Sequence, residues 1–290
     1  MKAREGKLER IISWAESNSD IRAVLLTSSL VNPHAPVDDF SDLDIELVFE
    51  NMQEYQANNQ WIDLFGTPIS MIEEDDSYFD GKHAMKMVLY ADHVKVDFKL
   101  YQKSEFIKEV HEEALPDDWD VGYKVLIDKD DLTKDLQPPT YRSVMIHQPA
   151  EKRFRQLIND FWWDTTYVAK CLKRDDLFYA KFMSEDVIRT DYLVPLIEWY
   201  IASTYNWKNI TTNKHGRLFK KYLPEELWKQ IEATFSGSNI NDNWIALYSA
   251  ADLVHELGTV LSDRLSFEYP QKLENDIRKY LDEVRSMPQP

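Results

Sequence analysis

Asp42 and Asp44 flank Leu43 at the head of the run Asp42-Leu43-Asp44-Ile45-Glu46-Leu47-Val48-Phe49. In an extended chain, residues i and i+2 leave the same face with Cα atoms about 7 Å apart, so two such carboxylates can aim at one ion. Magnesium takes hard oxygen ligands in a near-octahedral shell, usually a few carboxylates completed by water and phosphate oxygens, and this pair suits it. The triplet alone says little, because Asp-x-Asp also occurs at Asp118/Asp120 and Asp128/Asp130. Only the first pair heads an alternating strand and closely follows an apolar run that ends in small hydroxyl residues, Ser28 and Ser29. A third carboxylate, Asp97, alternates with Lys95 and Lys99 in Val94-Lys95-Val96-Asp97-Phe98-Lys99-Leu100. If its strand lies beside that of Asp42, three carboxylates converge on one sheet surface, which is costly unless cations compensate. The plainer reading is that Asp97 pairs with its own lysines on a wet face.

The elements that must hold these residues are legible as periodicity. Leu8, Ile11, Ile12 and Ala15 recur at helical spacing, so the opening segment is an amphipathic helix ending near Ser17–Asp20. Ile21–Thr27 is a β-branched and Leu-rich run suited to a buried strand, and Ser28–Ser41, with Asn32, Pro33 and Pro36, is loop or broken helix. Asp42–Phe49 puts Leu43, Ile45 and Leu47 on one face and Asp42, Asp44 and Glu46 on the other. Further strands are predicted at Pro68–Ile72, Lys86–Tyr90, Val94–Tyr101 and Lys124–Ile127, with Ala91-Asp92-His93 turning the middle two into a hairpin and Ser104 capping a helix that ends near Ala114.

After Leu136-Gln137-Pro138-Pro139 the pattern changes. Phe154, Leu157, Ile158, Phe161, Trp162, Thr165, Val168, Ala169 and Leu172 form one helical stripe, and similar spacing recurs near Asp191–Tyr205, Glu225–Phe235, Trp244–Leu265 and Leu273–Val284. Pro195, lacking an amide donor, must begin or kink its helix. The class is therefore α+β: a mixed sheet with helices over residues 1–137, a linker over 138–149, and an all-α helical bundle over 150–290.

Composition narrows the function. The net charge of −17 is concentrated in the first half, with 30 Asp and Glu against 15 Lys and Arg over residues 1–149 and 21 against 19 over 150–290. Such a balance argues against nucleic acid, whose phosphates are bound by Lys and Arg that displace counterions; it would attract metal ions and polycationic small molecules, although solubility is the plainer account of charge alone. No apolar run approaches the roughly 20 residues that span a bilayer, so no membrane partner is expected. The charged opening residues lack a signal-peptide apolar segment, and the single cysteine, Cys171, makes no internal disulfide; a cytoplasmic protein fits both. His-Glu-x-x-His, Gly-x-Gly-x-x-Gly and Walker-type loops are absent.

The order of strand, small-residue turn, loop, Ser41-Asp42-Leu43-Asp44-Ile45 and a later strand bearing one aspartate resembles the nucleotidyltransferase superfamily. More closely, Asn32, that Ser41–Ile45 stretch, Asn59-Gln60-Trp61 through Phe65-Gly66, and Val125-Leu126-Ile127-Asp128-Lys129-Asp130 resemble the aminoglycoside 6-adenylyltransferases, which modify streptomycin. Phe161-Trp162, Tyr167-Val168-Ala169-Lys170, Lys214-His215-Gly216-Arg217 and Lys220-Lys221-Tyr222-Leu223 extend the likeness over almost the whole chain. The resemblance implies that a substrate hydroxyl attacks the α-phosphate of ATP, AMP is transferred and pyrophosphate leaves. It would make Asp42 and Asp44 the holders of Mg2+ on the triphosphate, and Asp97 a third ligand or the proton acceptor. Ser28, Ser29 and Asn32, with Lys170 and Lys214 from the helical half, would bind the nucleotide, and the acceptor would be a small cationic hydroxylated molecule such as an aminoglycoside. One departure stands out: the family has Gly-Ser-Arg where this chain has Ser28-Ser29-Leu30. Glycine tolerates positive φ and arginine adds a charged donor. Leu30 motivates a second reading, a catalytically silent relative that binds a ligand or partner.

Overall fold

A computed structural model describes residues 2–288. The chain divides into two compact units, one ending at Val144 and one beginning at Met145.

The first unit is built on a six-stranded sheet whose strands are β1 (Ile21–Thr27), β2 (Leu43–Phe49), β3 (Pro68–Glu74), β4 (His83–Tyr90), β5 (Lys95–Gln102) and β6 (Tyr123–Asp128), in the spatial order β3-β4-β5-β2-β1-β6. All neighbours are antiparallel except β2 and β5, which run parallel with Asp44 opposite Asp97 and Glu46 opposite Lys99. The predicted hairpin at Ala91-Asp92-His93 joins β4 to β5, and His93 takes the left-handed conformation (φ 65°) that closes it.

Strict alternation gives the sheet two different faces. On one, Leu43, Ile45, Leu47 and Phe49 pack with Val96, Phe98 and Leu100 under the opening helix α1 (Lys2–Ser17) and the Trp61–Phe65 segment. Removing this apolar surface from water supplies the main drive for the unit to fold. On the other face Ala23, Leu25, Val48 and Tyr101 are covered by Phe106, Val110 and Trp119, which come from two short helices, Lys103–Val110 and Asp117–Asp120.

Two local expectations change. Ser104 does not cap its helix, which starts at Lys103 behind Gln102 without a side-chain cap. The buried stripe of α1 includes Arg4 and Lys7 as well as Ile11 and Ala15. Both charges are met by backbone carbonyls: Lys7 Nζ donates to Phe65 O at 2.7 Å and pairs with Asp92 at 3.1 Å, while Arg4 donates to Asp38 O and Ser41 O. A buried charge persists only when paired in this way.

The second unit is helical among its described residues. Its long helices are Glu151–Lys173, Val194–Thr204, Ile240–Leu265 and Gln271–Ser286. Every residue of the predicted stripe from Phe154 to Leu172 is buried. Pro195 falls in the first turn of the Val194–Thr204 helix, behind a π-helical stretch at Phe182–Leu193. A wider turn suits that approach, because proline can neither donate to the carbonyl four residues back nor tolerate it close by. No described helix is long and apolar enough to cross a membrane.

Candidate active site

The parallel β2–β5 pair decides where the carboxylates meet. Because Asp44 and Asp97 are register partners on strands about 4.8 Å apart, their side chains leave the same face side by side. Asp42 sits one residue before β2, at the same end of the sheet. Lys95, two residues before Asp97 on that face, reaches both acids: its Nζ lies 2.9 Å from Asp97 Oδ2 and 3.3 Å from Asp42 Oδ2. The lysine is held above its ordinary pKa, since burial, which lowers it, is overcome by Asp97 and Asp42. Among the described residues no three Asp, Glu, His or Cys side chains are gathered into a ready-made metal cluster, and the Lys95 ammonium is the cation that bridges Asp42 and Asp97.

A divalent ion nonetheless fits these residues. Asp97 is only 17% exposed, and its second oxygen, Oδ1, is buried without a hydrogen-bond partner. A buried carboxylate oxygen left in that state carries a desolvation cost that a bound cation or a donated proton would relieve. Asp42, Asp44 and Asp97 also carry hard carboxylate oxygens, the donor type that magnesium and similar ions prefer.

Surroundings separate this pair from the other two Asp-x-Asp triplets. Asp118 pairs with Lys99, and Asp120 accepts from Thr140 N at 2.7 Å and Ser143 N at 3.2 Å. Asp128 accepts from Leu132 N and Thr133 N, and Asp130 is held by Arg22 and Lys103. Those carboxylates serve turns and ion pairs.

The Ser28–Leu30 turn follows β1 at the same end of the sheet. Antiparallel pairing brings the end of β1 to the start of β2, and Thr27 Oγ1 donates to Asp44 O at 3.5 Å. Directly after it, Ser28–Leu30 forms one turn of 3-10 helix, with Ser28 at φ 62°. This is the left-handed backbone for which the family glycine is suited, and a side chain there costs about 1–2 kcal/mol. Ser28→Gly is therefore expected to raise stability by about 1 kcal/mol, read as a higher urea midpoint with unchanged m-value; an unchanged midpoint would refute strain at this turn.

Asn32 is buried, and its Oδ1 accepts from His34 N at 2.8 Å, so its side chain holds the loop together. Leu30 packs on the core beneath the sheet. The other two sequence candidates belong to the second unit. Lys170 lies on the Glu151–Lys173 helix with its ammonium 4.3 Å from the Tyr167 ring centre, and Lys214 begins a 3-10 turn, Lys214–Gly216.

Beside the Asp44/Asp97 row lies a second one that the charge pattern does not reveal. Glu46 is 2% exposed and faces Lys99, and Trp119 Nε1 donates to its Oε2 at 2.7 Å. Burial pushes the Glu46 carboxyl up to about 7, with Lys99 opposing, while Glu46 and Asp118 raise Lys99 against its own burial. Alternation placed Glu46 on this face, but its burial depends on Trp119, which is distant in sequence.

The pattern of the streptomycin adenylyltransferase family matches residues 1–284. This chain belongs to that family. It is accordingly a nucleotidyltransferase. Aminoglycoside 6-adenylyltransferase of Campylobacter jejuni is 28% identical over 273 residues, covering 93% of this chain and 92% of that protein. The enzyme of the same name from Bacillus subtilis (strain 168) is 27% identical over 288 residues, covering 98% of each. The Staphylococcus aureus enzyme is 23% identical over 285 residues, 96% of this chain and 98% of the relative. A crystal structure of an aminoglycoside 6-adenyltransferase from Bacillus subtilis covers 97% of this chain and 98% of its own, at 23% identity and a TM-score of 0.47.

Proposed function

We propose that this protein transfers AMP from ATP to a hydroxyl group of an aminoglycoside, streptomycin being the first acceptor to test, in a Mg2+-dependent reaction in the cytoplasm. The observation that carries the reading is the parallel register of Asp44 and Asp97, with Asp42 at the same sheet end and an unpartnered Asp97 oxygen, in a chain of this family.

Asp42, Asp44 and Asp97 would hold the ion, which supplies charge neutralisation and orientation for the triphosphate when bound. Lys95 balances the carboxylates in the free protein and then hands them over, turning its ammonium toward phosphate oxygens. Asp97, the least exposed of the Asp42–Lys95–Asp97 trio, accepts the acceptor hydroxyl proton or completes the ion's shell. In the balanced reaction, the acceptor oxygen bonds to the α-phosphorus, the bond to the bridging oxygen breaks, and pyrophosphate departs with that electron pair. Ser28 and Ser29, on the turn after β1, offer hydroxyls and amides to phosphate oxygens. The Asn32 side chain holds the loop that follows that turn.

The test is incubation with α-labelled ATP, Mg2+ and a panel of aminoglycosides, followed by separation of products. Label on the aminoglycoside together with stoichiometric pyrophosphate is the expected result. Free AMP formed without an acceptor would instead indicate hydrolysis. Leu30, packed on the core where the family has arginine, favours the silent-relative reading; tight binding of Mg-ATP without turnover on any acceptor would establish it, and turnover eliminates it.

A further inference from the structure

Phe40 is 92% exposed although it lies only two residues before Asp42. A single exposed aromatic is ordinary on a protein surface. Here the backbone beneath it is pinned. Arg4, a buried guanidinium from α1, donates from Nη1 to Asp38 O at 2.7 Å and to Ser41 O at 2.8 Å. Within the turn, Phe40 N donates to Asp38 Oδ1 at 2.9 Å, Asp38 N to Ser41 Oγ at 3.0 Å, and Ser41 N to Asp38 O at 3.3 Å. The ring thus stands on a braced four-residue turn whose last residue leads straight into Asp42, at most about 7 Å of chain away. Burying an arginine to fix an outward-facing phenylalanine has no packing return, since that ring contributes almost nothing to the core.

We infer that Phe40 is the platform on which the acceptor substrate's cationic group, an ammonium or guanidinium carried on a sugar-like ring, stacks during AMP transfer. The inference rests on the proposed aminoglycoside-adenylylating activity and adds the residue that recognises the acceptor. Its chemistry follows from the neighbours. Exposed Asp38 and Asp39 precede the ring and Asp42 follows it; Arg4 in the turn and Lys95 on Asp42 offset two of these three charges, so the balance of these five groups is negative. A negative balance favours a polycationic acceptor. An aromatic face adds cation–π attraction of a kind that guanidinium and ammonium groups exploit. Position matters as well: the ring stands two residues from Asp42, beside which the proposed transfer takes place.

Steady-state kinetics with aminoglycoside varied at saturating Mg-ATP tests the assignment on wild type, Phe40→Ala and Phe40→Trp. Phe40→Ala is expected to raise the acceptor KM about 3- to 30-fold, with kcat and the ATP KM within about twofold, and Phe40→Trp to restore the acceptor KM. An unchanged acceptor KM, or a rise confined to the ATP KM as a nucleobase platform would give, overturns it. Because the side chain is exposed, Phe40→Ala should unfold at the wild-type midpoint, which separates the effect from misfolding. Calorimetric titration with the aminoglycoside alone reads the same contact without turnover. Weaker binding by Phe40→Ala supports the platform even if no AMP is transferred, whereas wild-type turnover with an unaltered Phe40→Ala overturns the platform and leaves the activity standing. Absence of aminoglycoside binding by the wild type would overturn both.

Discussion

Asp97→Asn is expected to lower kcat for AMP transfer about a thousandfold while leaving the fold intact. The substitution is nearly isosteric at a residue whose backbone is fixed by the β2–β5 and β4–β5 ladders, so packing should survive. What disappears is the negative charge and the buried, unpartnered oxygen beside Asp44. An amide accepts a proton poorly and is a weaker ligand for a hard cation, and loss of a positioned proton acceptor typically costs 10²–10⁴ in rate. Lys95 would keep Asp42 as its partner, so the site should not collapse. Two readouts divide the possible roles. If Asp97 chiefly holds the ion, raising the Mg2+ concentration should recover much of the rate. If it chiefly accepts the proton, excess Mg2+ should not help. Wild-type kcat in Asp97→Asn would remove Asp97 from the site altogether.

Glu46→Gln should change the pH dependence of stability by about 3 kcal/mol. Burial raises the Glu46 carboxyl from 4.5 to about 7, and each tenfold change in proton affinity corresponds to about 1.4 kcal/mol. The folded state holds this proton more tightly than the unfolded chain. Its contribution is thus fully present below pH 4.5 and is lost as pH rises through about 7. Glutamine remains an acceptor for Trp119 Nε1 but carries no titrating group. The difference in unfolding free energy between variant and wild type should therefore grow in favour of the variant from pH 4.5 to 7 and then level off.

His83 acts in the opposite sense. Burial, aided by Lys99, lowers it to about 4. Its stabilising contribution is present above about 6.5 and lost as pH falls through about 4. The two groups nearly offset one another over the shared window, so the variant should show a rise in stability with pH that the wild type masks. Urea denaturation at several pH values measures both curves, and parallel curves would show that Glu46 is ionised throughout.

Much of this molecule is written in short-range pattern. The run Asp42–Phe49 alternates apolar and acidic residues, so its strand character and the common face of Asp42, Asp44 and Glu46 follow from period two alone. The Phe154–Leu172 stripe likewise follows from helical period. The left-handed turn at Ser28 was legible because the family places glycine there.

Strand order was not legible, since alternation says which face a residue takes and nothing about its neighbours. Only the β2–β5 pairing put Asp44 beside Asp97 and Glu46 beside Lys99, residues more than fifty positions apart in sequence. The plain reading of Asp97 as paired with its own lysines on a wet face holds only for Lys95, which reaches it at 2.9 Å; Lys99 pairs with Asp118 instead, and Asp97 is largely buried. Arg4 and Lys7 defied the polar-outside rule, as their carbonyl partners come from loops that sequence periodicity does not describe.

The Asp42/Asp44 pair therefore owed its shared face to the sequence, through the two-residue repeat of an extended chain. Its third carboxylate, its balancing lysine and the braced Phe40 turn came from tertiary structure, because long-range pairing and buried charge are settled by which distant groups can satisfy one another.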